Sequence, residues 1–116
     1  MANRFINKKI KLTDTNSTTL FTVPTATTTI IRSILVSEYA GSGSSITVTV
    51  TDSDSVVFNL FTTKAVASNA TTELLTNPLI LQESEILKVQ AADANRLQVI
   101  MSILEVQPRT IIEAEE

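Results

Sequence analysis

The sequence predicts an all-β protein: a two-sheet antiparallel β-sandwich, jelly-roll-like, with about eight strands. Three observations carry that prediction. Eighteen of the 116 residues are Thr, and the aliphatic content is dominated by Ile, Val and Leu; branching at Cβ costs less on a pleated surface than on a helix. Apolar and polar residues alternate with a period of two, most regularly in Ile46-Thr47-Val48-Thr49-Val50-Thr51. Clusters of turn formers interrupt the apolar runs about every 8–12 residues, the spacing of sandwiches and barrels.

Taken in order, Phe5 to Leu12 forms a first strand, with Ile6, Ile10 and Leu12 on one side and Lys9 and Lys11 on the other, and Asp14 to Ser17 turns the chain. Thr19 to Val23 is a second strand. Pro24 ends it, because proline brings no N–H to a ladder. Thr27 to Tyr39 reads as a central strand covered on both sides, with Ile30, Ile34 and Val36 sharing one face and Ile31 and Leu35 the other. Gly41-Ser42-Gly43 then supplies both glycines and reads as a hairpin loop. Ile46 to Thr51 is a half-buried strand, and Asp52 to Ser55 turns it into Val56 to Phe61 as a hairpin, with Phe58 and Leu60 pointing the same way. Thr63 to Thr76 fits an irregular crossover better than a short helical turn. Pro78 to Leu81, Leu87 to Ala91 and Leu97 to Val106 are three further strands, separated by turns at Glu83-Ser84-Glu85 and Asp93-Ala94-Asn95. The last has Val99, Met101 and Ile103 on one face, Ile100 and Leu104 on the other, and should lie inside a sheet.

One compact core suffices for a chain of this length, and no change of composition divides it. Residues 1–106 are expected to form the sandwich, opening with a basic N-terminal arm, and residues 107–116 an acidic C-terminal tail. The net charge is only −3, but its distribution is uneven. Arg4, Lys8, Lys9 and Lys11 precede any acid, whereas Glu105, Glu113, Glu115 and Glu116 outweigh Arg109 at the far end. Such ends suit an arm of one subunit meeting the tail of another, or two solvated termini.

The search for chemistry excludes more than it offers. With no His and no Cys, the commonest bases, thiolate nucleophiles and soft metal ligands are missing. Asp52 with Asp54, and Glu83 with Glu85, are the remaining acid pairs, and both stand among turn formers, where acids favour solvent. The spacing of a twelve-residue calcium loop is absent. Gly41-Ser42-Gly43 lacks the later glycine of a dinucleotide fingerprint. No cofactor and no enzymatic activity are expected. Arg4, Lys8, Lys9 and Lys11 could touch phosphate, but a positive edge that discourages wrong strand pairing explains them more simply. Asn16-Ser17-Thr18 and Asn69-Ala70-Thr71 match the glycosylation pattern by chance in a Thr-rich chain. No secretory signal and no apolar run of spanning length stands out, so no membrane partner is expected, and the small net charge leaves no nucleic-acid footprint, so nucleic acid is not expected either.

Association is the better-supported theme. Exposed faces rich in Thr and Ser rather than Lys and Glu lie against another protein at modest desolvation cost. Thr110-Ile111-Ile112 is apolar yet follows the last strand, so it either docks on a neighbour or folds back. The residues expected to make protein contacts are Arg4, Lys8, Lys9 and Lys11 near the start and Thr110, Ile111, Ile112 and Glu113 near the end.

The strand texts Thr19-Leu20-Phe21-Thr22-Val23-Pro24, Thr29 to Val36, Ile46 to Val50, Leu79-Ile80-Leu81 leading to Glu85-Ile86-Leu87-Lys88-Val89, and Leu97 to Val106 together resemble a loose group of small virion structural proteins of tailed bacteriophages. The likeness spans nearly the whole chain and is one of strand patterns, with no active-site motif. It departs at Glu83-Ser84-Glu85, where such proteins usually place Gly. The resemblance implies a β-sandwich that coats or extends a particle as a homo-oligomer. The implied role is a capsid decoration or cement subunit that contacts the major capsid protein, assembled in the host cytoplasm and residing in the virion. A tail, neck or fibre-associated adaptor is the first alternative. A receptor- or glycan-binding module is the second, weakened by the absence of Trp and the single Tyr39.

Overall fold

A computed structural model describes residues 2–107, with the side chains of residues 3–106. The described residues form nine strands: β1 (Ala2–Leu12), β2 (Thr18–Thr22), β3 (Thr28–Glu38), β4 (Ser44–Thr51), β5 (Val57–Val66), β6 (Thr71–Glu73), β7 (Leu79–Leu81), β8 (Ile86–Ala91) and β9 (Leu97–Gln107). They form two antiparallel sheets. The first has the order β1-β9-β3-β6, with β7 also on β3, and the second β2-β8-β4-β5. Successive strands mostly alternate between the sheets, and the hairpin β4-β5 stays within one. Both sheets are four positions wide, the arrangement of a jelly roll. The expected eight strands become nine because β6 and β7 share one position: β6 pairs with residues 35–37 of β3 and β7 with residues 29–31.

The core lies between the sheets, where period-two alternation puts every second side chain. Leu97, Val99, Met101 and Ile103 of β9 and Ile46 and Val48 of β4 are buried, with Leu87 and Val89 of β8. The faces expected for β9 are those observed. Its outer side, however, is open, and Ile100 is exposed, so β9 and β3 are central in their sheet but covered on one side only.

Two local expectations are corrected. On β3 the pairing with β9 shifts between Ile31 and Ser33, so the bulge at Arg32 moves the inward face: Ile31, Ile34 and Val36 are all fully buried, while Ile30 and Leu35 face outward. One extra residue in a strand reverses the alternation beyond it. On β5 the pairing with β4 shifts twice, between the partners of Ile46 and Val48 and again between those of Val48 and Thr49; Phe58 stands opposite the core residue Val50 and Leu60 packs against the core, so the two share a face as expected. Gly41-Ser42-Gly43, finally, is no hairpin loop. It leads from β3 in one sheet to β4 in the other.

That crossing is held by a buried acid. Glu38 ends β3 on the inner side, and its carboxylate accepts hydrogen bonds from the amides of Gly41 (2.9 Å), Ser42 (3.1 Å) and Asn69 (2.8 Å). The loop can close around it because Gly41 and Gly43 adopt φ of 81° and 74°, values open to glycine at little cost. Glu73 repairs the gap between β6 and β7. Its carboxylate takes the amides of Ile34 (2.8 Å) and Leu75 (3.1 Å) and the Ser33 hydroxyl, and Leu74 donates to the Ile34 carbonyl at 2.9 Å. The Ile34 amide and carbonyl are thus paired where the neighbouring strand is interrupted.

Both acids are held below the ordinary carboxylate value of 4.5. For Glu38 the leading cause is the Asn69 amide, opposed by burial and reinforced by Ser42, Gly41 and Gly43. For Glu73 burial acts upward and is outweighed by Ser33, Ile34 and Leu75. A carboxylate whose folded pKa lies below its unfolded one stabilises the fold above the unfolded value and loses that contribution as the pH drops through the folded one. Thermal melts are therefore expected to hold steady from pH 7 to about 5 and to fall steeply below about 4. A Glu38→Gln, Glu73→Gln double variant should melt lower at pH 7 and change less on acidification; an unaltered slope would rule out these two acids as its source.

Candidate assembly surface

The four basic residues near the start do not form a separate arm. Ala2 to Leu12 pairs with β9 along its entire length, in the register Arg4 with Glu105, Lys8 with Met101, Lys9 with Ile100 and Lys11 with Gln98. β1 is an edge strand of the first sheet, and the positive charges line that edge. This is a standard means of discouraging stray pairing. Three of the four also make contacts within the chain. Arg4 Nε donates to Glu105 Oε1 at 2.9 Å. Lys8 Nζ lies 5.8 Å from the centre of the Phe21 ring in β2, bridging the two sheets at their edge, and Lys11 Nζ lies 5.6 Å from that of Tyr39. Lys9 is exposed on the outer face. The opposite charges expected to join neighbouring subunits thus meet, in the case of Arg4 and Glu105, inside one chain. Thr110, Ile111, Ile112 and Glu113 lie outside the described residues.

The turn acids serve the backbone. Asp52 Oδ1 accepts the amides of Asp54 (2.9 Å) and Val56 (3.0 Å), closing the β4-β5 turn with Ser55 at φ 66°. Glu85 accepts the Gln82 amide at 2.8 Å and Glu83 that of Ala26 at 3.2 Å. Between them Ser84 holds φ 72°, a left-handed conformation that usually takes Gly. Among the described residues no group of three or more Asp or Glu is placed to hold a metal ion, and no helix is long and apolar enough to cross a membrane.

Register reveals what the sequence reading passed over. On the outer side of the first sheet Phe5 pairs with Leu104, Leu104 with Ile30, and Ile30 with Ile80. Four apolar side chains from four strands thus stand in one row. Its ends are bare: Phe5 is 74% and Ile80 60% exposed. Four residues along, Lys9, Ile100, Leu35 and Glu73 form a parallel row, and a hollow of about 300 Å³ opens there beside Lys9, Lys11, Gln98 and Ile100. A second exposed apolar group, Val56, Val57 and Phe58, follows the β4-β5 turn at the edge of the second sheet. Soluble monomers seldom leave such groups contiguous.

No family model and no curated protein matches the sequence. Among solved structures the chain is similar to one described as Bacillus endospore appendages, a family of disulfide-linked pili. The TM-score is 0.50 over 90% of this chain and 89% of that one, at 9% identity. At that identity the likeness is one of fold.

Proposed function

We propose that this chain is a non-enzymatic structural subunit that works by packing against other proteins in a larger assembly, specifically a capsid decoration or cement subunit of a tailed-phage virion. The observation that carries the reading is the apolar row Phe5, Leu104, Ile30 and Ile80 on an open sheet face. Covering such a row removes apolar area from water at roughly 25 cal/mol per Å², and the row next to it, Asn7, Ser102 and Ser33, is cheap to desolvate compared with charged groups. The virion setting rests on the strand texts that resemble small phage proteins. Its partners would be the major capsid protein and further copies of this chain.

A polymer-forming, pilus-like subunit is the second reading. The outer edge of β5, ten residues long and unpaired among the described residues, favours it, because an exposed edge is a template for strand addition. A cysteine-free chain could not copy the disulfide linkage described for the appendage protein.

Purified protein added to phage heads that lack it is expected to bind in copy numbers on the order of hundreds, as a lattice of equivalent sites requires. Quantitative mass measurement of the particles checks this. Binding of a dozen or fewer copies at one vertex would move the assignment to a neck or tail adaptor, and filaments formed by the protein alone would favour the second reading.

A further inference from the structure

The two exposed apolar groups carry opposite charge. Around the row on the first sheet stand Lys9, Lys11 and Arg32, all exposed. Among the described residues the acid in the parallel row, Glu73, is engaged by Ser33, Ile34 and Leu75. The second group, Val56, Val57 and Phe58, adjoins the exposed Asp54 and the turn acid Asp52. One belongs to the outer side of the first sheet and the other to an edge of the second, and among the described residues nothing covers either, with Phe5 74% and Phe58 53% exposed.

We propose that these are the two halves of one contact between copies of this chain: the acidic β4-β5 tip of one copy sits on the basic outer face of the next. This rests on the assembly reading above and names the surfaces it uses. Charge selects the pairing. Face against face would set Lys9, Lys11 and Arg32 of one copy near the same residues of the other, and tip against tip would set Asp54 near Asp54; like charges repel most where water is excluded. Tip on face matches both signs and both apolar groups. The hollow beside Lys9, Lys11 and Ile100 adds a concavity to that face. Such a contact is heterologous, so every bound pair keeps one unused tip and one unused face, and growth continues until a ring closes or a filament forms.

The test uses the full chain in sedimentation equilibrium. The wild type is expected to form concentration-dependent species larger than dimers, weakened by salt. Phe5→Gln with Ile80→Gln removes the face, and Val57→Gln with Phe58→Gln removes the tip. Each variant alone should be monomeric at concentrations where the wild type associates, and an equimolar mixture should stop at the dimer. A tip variant that still dimerises alone indicates face-on-face packing and overturns the proposal, as does a face variant that dimerises alone, or a mixture that stays monomeric. Should either variant fail to fold, charge reversal replaces it: Lys9→Glu or Asp54→Lys alone weakens association at least several-fold, and the two in one chain restore it. A wild type that stays monomeric yet binds phage heads sinks this contact and leaves the decoration reading standing; one that associates but ignores the heads does the reverse.

Discussion

Replacing Ile34 by Ala is expected to destabilise the protein by about 3–4 kcal/mol, lowering Tm by roughly 10–20 °C for a domain of this size, while Ile30→Ala costs about 1 kcal/mol or less. Ile34 is fully buried between the sheets, so truncation loses the transfer free energy of the removed carbons and leaves a cavity that rigid strands cannot collapse. Ile30 stands on the outer side of the same strand, between Leu104 and Ile80, where water replaces what is removed. The comparison probes the bulge at Arg32. A regular strand would put Ile30 and Ile34 on one face and make the two substitutions similar in cost; the bulge instead groups Ile31 with Ile34. Ile31→Ala should therefore cost as much as Ile34→Ala. Thermal or urea denaturation of the three variants decides, and comparable losses for Ile30 and Ile34 would refute the observed register.

Much of the fold was legible because it depends on local pattern. The unbroken alternation of Ile46 to Thr51 gave β4 within two residues, and the apolar faces of β9 followed from counting by two. The β4-β5 hairpin followed from turn formers between two apolar runs. What escaped was set by pairing at a distance. A bulge is one residue too many relative to a partner strand, so neither Arg32 nor the double shift in β5 has a signature in its own segment. The glycine loop looked like a hairpin because a turn that stays in a sheet and one that changes sheets use the same residues. The apolar row was hidden for the same reason: Phe5, Ile30, Ile80 and Leu104 are scattered over a hundred positions and become neighbours only once four strands are in register. The burial of Glu38 and Glu105 has no local signature either, because it depends on partners from elsewhere in the chain.

Glu105 supplies the second large effect. Its side chain is 2% exposed and that of Arg4 59%, so the pair consists of a buried carboxylate and a cation that water still reaches. Removing the cation strands the acid: Arg4→Met is expected to cost about 1–3 kcal/mol, below the roughly 3–5 kcal/mol seen when fully buried pairs are broken, because solvent at the Arg4 side screens what remains. The neighbouring strand offers little relief. Thr29 stands opposite Glu105 on β3, and among the described residues its buried hydroxyl has no hydrogen-bond partner. Removing both charges should undo the damage, since an apolar pair of similar size needs no desolvation repaid, and an Arg4→Met, Glu105→Leu double variant should lie within about 1 kcal/mol of the wild type. The coupling energy from that double-mutant cycle isolates the pair. If Arg4→Met alone proves neutral, the buried carboxylate is neutralised or solvated by other means and Arg4 is free for contacts outside the chain; if it is costly and the double variant recovers, the cation belongs to the fold, and the tip-on-face contact must draw its positive charge from Lys9, Lys11 and Arg32.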